Sequence, residues 1–360
     1  MKEFYCNTRV LTGVSAEKAL SGLGIRRLFL VTDPFFLENG TAQRIGKGAL
    51  AQASHIFSRV EPDPSAQLAA EATAQAREFQ PDTIVALGGG SAMDLAKAVS
   101  YFYEKPVRLV AIPTTSGSGS EVTDFAILTH NKVKHPLVDK RLRPDVAILD
   151  SELLEQLPPA LVADAGFDVI AHALESYVAT DAGVFTDALA REAFKNAYGA
   201  LPASFAGRKE VRLRVHQAAT MAGMAFTQAG LGLCHAMAHS LGGLFHVPHG
   251  RLNAILLPSV VACNAHVAGA KYAQLARDAG LGGSADTIAV RNLKNALIRL
   301  RRELKLPETL AQAGIAPREV WAATGEIVQA TLNDPCCKTN PMVVEDFLVR
   351  RILEEVTGRV

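Results

Sequence analysis

Cysteine is scarce and unpatterned here: Cys6, Cys234, Cys263, Cys336 and Cys337 are the only five among 360 residues. An odd, scattered set without a CxxC pair argues against a disulfide scaffold or a zinc knuckle and fits a reducing, cytoplasmic compartment. Excess charge of either sign is also missing. Lys plus Arg number 37 against 36 for Asp plus Glu, a formal net charge of +1. Without a basic stripe or polybasic tail, a nucleic-acid or anionic-membrane partner is disfavoured. Met1-Lys2-Glu3-Phe4-Tyr5-Cys6 lacks the apolar run of a signal peptide, and no uninterrupted segment of membrane length is evident.

What remains is ample core material. Hydrophobic residues are 49 % and charged ones 20 %, a balance opposed to disorder. At this length one ordinary core is exceeded and two domains are expected. The first 150 residues alternate β-rich and amphipathic runs. Strands are expected at 27–32, 55–60, 83–87, 108–112 and 145–149, and helices at 39–53, 65–79 and 91–101. After Asp150 helical periodicity dominates, with breaks expected at several prolines, Pro202 and Pro258 among them. The fold class is therefore α/β: a doubly wound, mostly parallel sheet domain over 1–155, then an all-helical domain over 156–360.

Two loops in the first domain suit phosphate. Leu87-Gly88-Gly89-Gly90-Ser91 lies between a strand and a helix. Glycines there admit a phosphate close to the backbone, and the helix N-terminus offers unpaired N–H groups with a favourable dipole. The plainer reading is a tight turn with Ser91 as N-cap. After the next strand comes Pro113-Thr114-Thr115-Ser116-Gly117-Ser118-Gly119-Ser120-Glu121. Loops at the C-terminal ends of successive strands line one crevice, where open α/β sheets bind ligands. Asp33 ends an earlier strand, where an acid can bond a ribose 2′-hydroxyl and repel a 2′-phosphate, favouring NAD over NADP.

The second domain carries an acid and histidines at helical spacing. Asp168 and His172 are four apart, as are His235 and His239, and His249 follows in Pro248-His249-Gly250. Four residues is just over one turn, so each pair shares a helix face. Asp168, His172, His235 and His249 offer three nitrogens and one oxygen, a set that suits Fe(II), Zn(II), Co(II) or Ni(II). His239 and His246 are further candidates for a ligand or a proton shuttle, and spacing does not rank them. A lone histidine is usually structural; here four of the ten fall within fifteen positions.

These stretches resemble the iron-dependent (group III) alcohol dehydrogenases: GGGSAMDLAKA at 88–98, PTTSGSGSEVT at 113–123, GFDVIAHALESYV at 166–178, GLCHAMAHSLGGLFHVPHGRLNAILLP at 232–258 and NPMVVEDFL at 340–348. The propanol dehydrogenases of propanediol utilisation are the most similar in appearance. The resemblance implies Asp168, His172, His235 and His249 as metal ligands, Fe(II) first and Zn(II) second, with His239 as a proton-relay residue near the nicotinamide. It assigns Gly89, Gly90 and Ser91 to the pyrophosphate turn, and Thr114, Thr115 and Ser118 to cofactor contacts. Lys134 goes to the nicotinamide-side ribose and Asp33 to discrimination against NADP. Two departures stand out: the turn between Thr129 and Lys134 is shorter than is common, and Asp63 replaces a frequent Asn.

The implied chemistry is reversible hydride transfer between NAD(H) and a short-chain primary alcohol or aldehyde, with the metal as Lewis acid. A homo-oligomer is implied, and association with a bacterial microcompartment is compatible with it. Competing readings are a glycerol-type polyol dehydrogenase, a dehydroquinate-synthase-like lyase and a non-catalytic metal- or nucleotide-binding protein. Both sites being intact weighs against the last.

Overall fold

The structure, a computed structural model, describes residues 3–131 and 133–358. Their contacts separate the chain into two compact units, one of Cys6–Leu157 and one of Pro158 onward with the first few residues.

Among the described residues the first unit holds eight strands: β1 (Arg9–Thr12), β2 (Arg27–Thr32), β3 (Ala53–Phe57), β4 (Thr83–Gly88), β5 (Arg108–Pro113), β6 (Phe125–His130), β7 (Val133–Val138) and β8 (Val146–Leu149). Six form one sheet in the order β1-β8-β5-β4-β2-β3, every pair parallel. Between them run α1 (Ala16–Ser21), α2 (Pro34–Glu38), α3 (Thr41–Gly48), α4 (Ala66–Phe79) and α5 (Gly90–Phe102). Strand residues alternate between two cores, as a pleat of period two requires. Phe29, Val31, Ile84, Ala86, Leu109 and Ala111 pack with residues of α4 and α5. Leu28, Leu30, Val85, Leu87, Val110 and Ile112 pack with residues of α1 and α3. All of β4 is buried, which is why it reads as a continuous apolar run. The chain passes from β2 to β3 on one side and then crosses to β4 on the other. The sheet order therefore reverses between β2 and β4, and a ligand crevice is expected outside their C-terminal ends.

The structure corrects several expectations. The helix expected over 39–53 is only α3, Thr41–Gly48; α2 precedes it at Pro34–Glu38, and Gly40, with a φ of 80°, continues neither helix. The extended segment after it is Ala53–Phe57, not 55–60. Edge strand β1 has four residues and a mostly half-exposed pattern, too little periodicity to announce itself. No strand is expected at the antiparallel hairpin β6–β7; β7 is almost wholly exposed and shows no alternation. Lys132 lies outside the described residues.

The second unit contains α6 (Pro159–Val178), α7 (Val184–Phe205), α8 (Arg212–Ala229), α9 (Leu233–Phe245), α10 (His249–Asp278), α11 (Asp286–Glu303), α12 (Pro317–Ala322), α13 (Thr324–Asn333) and α14 (Asp346–Thr357). Neither Pro202 nor Pro258 breaks a helix. Pro202 sits in the last turn of α7. Pro258 lies inside α10, where a missing N–H leaves the carbonyl of Ala254, four residues back, without its helical donor. Arg301 on α11 donates Nη1 to that oxygen at 3.4 Å. By length and composition α10 is apolar enough to cross a membrane, yet 72 % of the qualifying stretch is buried inside this unit.

Candidate metal and nucleotide sites

In the first unit, β4 ends at Gly88 with φ 150°, a conformation suited to glycine. A Cβ there would lie 2.7 Å from Ala92 Cβ and 3.5 Å from Asp33 Oδ2, so the ends of β2 and β4 meet as the strand order requires. The N-cap of α5 is Gly89, not Ser91, and no side chain caps it. The helix therefore opens on backbone N–H groups, with Ser91 in its first turn. The second loop closes on this turn. Thr114 donates its N–H to Gly88 O at 2.9 Å. Thr115 Oγ1 lies 3.5 Å from where a Cβ on Gly89 would stand, and Ser118 Oγ 3.6 Å from one on Gly90. The sequence-predicted Asp33, Gly89, Gly90, Ser91, Thr114, Thr115 and Ser118 thus form one cluster around the β2–β4 crevice.

Asp33 also has a local duty: Oδ1 accepts from Phe36 N at 3.3 Å and caps α2. Burial raises its pKa against those backbone donors. Lys134, on β7, is half-exposed and paired with Asp63 at 2.6 Å. Asp63 has a φ of 53°. Sequence reasoning passed over Lys97, which is 1 % exposed on α5. Its ammonium donates to Ser120 Oγ at 2.9 Å, Thr123 Oγ1 at 2.8 Å and Phe125 O at 2.8 Å, tying the end of the second loop to α5. Burial pushes Lys97 down to about 8, against the pull of Asp94, Glu121 and Asp124. Desolvation pushes Asp94 up to about 6, with Lys97 opposing.

In the second unit, Asp168 and His172 project from α6, His235 and His239 from α9, and His249 is the first residue of α10. Asp168 Oδ1 is 3.7 Å from His235 Nε2 and 3.7 Å from His249 Nε2. One ligand atom from each of the three lies within 4.8 Å of the others. An ion bonded at about 2.1 Å with near-tetrahedral angles needs ligand atoms about 3.4 Å apart, so the trio fits a divalent transition metal. His172 stacks on His235 at 4.5 Å, and its Nδ1 is 4.0 Å from Asp168 Oδ2. Gly250 allows the close approach of α10 to α6: a Cβ there would fall 1.9 Å from Asp164 O and 3.2 Å from Asp168 Cβ.

The charge state supports the same fit. Burial works to neutralise Asp168, but His172, His249 and His235 outweigh it and hold the carboxyl far below its usual range. His235, despite burial, is pushed up to about 9 by Asp168 and Glu175. His249 is held well below the usual histidine range by desolvation and by the imidazoles of His239, His235 and His172, with Asp168 opposing. A buried anion facing several imidazoles has a composition that suits a cation.

Glu175 was quoted within a motif but not singled out. It is 2 % exposed and accepts from His235 Nδ1 at 2.6 Å. It also accepts from the backbone of Gly232, Cys234 and His235 at 3.1, 2.7 and 3.2 Å. Asn340 Oδ1 takes the remaining amide, Leu233 N, at 3.1 Å. One carboxylate thus satisfies the positive end of α9 and engages His235 Nδ1, so that Nε2 is the ring nitrogen facing Asp168. Its signal was the stripe 168, 172, 175 on one helix face. Asn253 was missed too; its Nδ2 donates to Asp168 Oδ1 at 2.7 Å and lies 3.3 Å from His235 Nε2. His239 stacks on His249 at 5.0 Å and bonds Asp334 at 2.9 Å. His246 is exposed and ends α9 with a left-handed φ of 56°, a structural duty outside the ligand trio.

The sequence matches the family described as "Iron-containing alcohol dehydrogenase" over residues 7–151, and "Fe-containing alcohol dehydrogenase family, C-terminal" over 162–357. It is 39 % identical to 1-propanol dehydrogenase PduQ of Citrobacter freundii, over 99 % of this chain and 100 % of that one. It is 36 % identical to the NADPH-dependent butanol dehydrogenase of Clostridium saccharobutylicum, over 98 % and 97 %. The sulfoacetaldehyde reductase of Bifidobacterium kashiwanohense, solved in complex with NAD+, superposes with a TM-score of 0.91 at 25 % identity, covering 99 % of each chain. With its parallel sheet, its helical unit and full-length relatives, the chain belongs to the iron-containing alcohol dehydrogenase family.

Proposed function

We propose that this enzyme interconverts a short-chain primary alcohol and its aldehyde, with propanol and propionaldehyde as the reference pair, using NAD(H) and one divalent ion, Fe(II) before Zn(II). The observation that carries the reading is the trio of buried Asp168, buried His235 and half-buried His249, with ligand atoms within 4.8 Å of one another around an ionised carboxylate. With His172 these residues would hold the ion, while Glu175 and Asn253 orient them. The glycine turn Gly89-Gly90-Ser91 with Thr114, Thr115 and Ser118 would hold the pyrophosphate. Asp33 would accept a ribose hydroxyl and repel a 2′-phosphate, and Lys134 would exchange Asp63 for the nicotinamide-side ribose. When bound, the ion supplies Lewis acidity toward an alcohol or carbonyl oxygen, and the nicotinamide gives or takes hydride. His239, 41 % exposed at its side chain, would carry the proton between substrate and solvent. The reading extends to a homo-oligomer in the cytoplasm or a bacterial microcompartment, to be checked by light scattering and fractionation.

The test is anaerobic NADH oxidation with propionaldehyde, using chelator-treated enzyme reloaded separately with Fe(II) and Zn(II), with NADPH in parallel. Turnover restored by Fe(II) and faster with NADH is the expected result. Faster turnover with NADPH removes the role of Asp33. Absence of turnover with either ion, together with retained NADH binding, redirects the assignment to polyols and then to a lyase.

A further inference from the structure

His239 is held by a residue 95 positions away. Its Nδ1 lies 2.9 Å from Asp334 Oδ2, and the Asp334 side chain is 14 % exposed. The other oxygen, Oδ1, accepts the backbone N–H of Cys336 at 2.8 Å, so both carboxylate oxygens are engaged in fixed directions. The segment carrying Asp334 is pinned on both sides. Thr339 Oγ1 donates to Leu231 O at 2.7 Å, and Thr180 N donates to Thr339 O at 2.9 Å. Asn340 accepts from Leu233 N and exchanges hydrogen bonds with Asn264 at 2.9 and 3.0 Å. Gly230 lets this segment lie against the start of α9; a Cβ there would fall 2.4 Å from Thr339 Oγ1. The segment that carries Asp334 is therefore built onto the end of α9 that presents His235 and, one turn later, His239.

An ionised carboxylate only accepts hydrogen bonds, so the imidazole must place its proton on Nδ1. We propose that Asp334 is a positioning residue that locks His239 in the Nδ1–H tautomer, leaving Nε2 as the basic nitrogen for proton transfer. This rests on the relay role of His239 given above. The balance is simple: Nε2 takes a proton from the alcohol side as the alcohol is oxidised and returns it in reduction, while the Nδ1 proton stays with Asp334.

The bond to Cys336 makes the proposal sharply testable. In Asp334→Asn the amide oxygen is expected to keep the Cys336 N–H, which turns the NH2 group toward His239 Nδ1. That group donates, so the ring must move its proton to Nε2. The fold is retained, because asparagine serves as well as aspartate in such a turn. Zinc-loaded protein labelled with 15N-histidine would be examined by long-range 1H–15N NMR, with the His239 signals assigned from their loss in His239→Ala. Wild type should show the Nδ1–H pattern and Asp334→Asn the Nε2–H pattern. Steady-state turnover of Asp334→Asn should fall about 100-fold in kcat, within the range of a positioned proton-transfer group. Propionaldehyde KM and NADH affinity should change less than about threefold, since neither contact is altered. A wild-type Nε2–H tautomer overturns the proposal, as does an Asp334→Asn variant that keeps both tautomer and kcat. Wild-type turnover in His239→Ala would instead remove the relay role itself, and with it this proposal.

Discussion

The two candidate sites are built from opposite materials. Around the β2–β4 crevice the binding surface is backbone: Gly88, Gly89 and Gly90 contribute no side chain, and the loop of 113–121 closes over them with small hydroxyls. In the helical unit it is side chain: one carboxylate and several imidazoles, with Asp168 held by Asn253 and His235 by Glu175. A backbone site suffers when an atom is added. A side-chain site suffers when one is removed, because the partners left behind stay buried and unmatched.

That contrast sets an order of effects. Asp168→Ala should cost the most. It deletes the anion that faces the imidazoles, and turnover should fall by about 10³-fold or more, the loss of several kcal/mol of Lewis-acid assistance. Metal analysis should find the ion absent, while NADH fluorescence titration shows binding within twofold of wild type. Weakened NADH binding in a folded variant would erase the division between the sites. Lys97→Met tests whether the backbone site has a buried charged support. It leaves Ser120, Thr123 and Phe125 O without their donor and Asp94 without its neighbouring cation. Breaking such a buried set costs about 3–5 kcal/mol, read as a lower urea midpoint.

Glu175→Gln should be milder. The amide can still accept at α9 but cannot match all four donors, and metal affinity should drop about 10–100-fold in chelator competition. An unchanged affinity would mean that His235 needs no orienting partner. Gly88→Ala should be the smallest. A φ of 150° and a Cβ contact of 2.7 Å strain the turn by about 1–3 kcal/mol, to be seen as roughly tenfold weaker NADH binding with metal content unchanged.

The fold was legible where burial writes a strong pattern. β4 and β5, wholly or almost wholly buried, and the long helices stood out from their apolar runs. β1 and β7 did not, because a short or exposed strand has no apolar face to advertise; β6, with Ala126 and Leu128 buried, carried an alternation that sequence reasoning missed. Among site residues, those close in sequence were visible: Asp168 with His172, His235 with His239, and the glycine turn. Their supports were not, because they come from far along the chain. Glu175 meets Cys234 across 59 positions, Asn253 meets Asp168 across 85, and Asp334 meets His239 across 95. Local spacing sets Glu175 on the helix face of Asp168 and His172, but carries no trace of its pairing with α9, nor of Asn253 or Asp334.

The arginine beneath Pro258 has an evolutionary corollary. While proline occupies that position, Arg301 supplies the donor that the Ala254 carbonyl lacks. Replacing Pro258 by alanine restores a main-chain donor and makes the arginine contact redundant. The two positions are thus epistatic, and the order of change matters. Lineages that lose the proline first pass through a sound helix, whereas those that lose the arginine first must cross an intermediate with a bare carbonyl in the core. A double-mutant cycle on the pair would expose that asymmetry as non-additivity, and related sequences should show the two positions drifting together rather than apart.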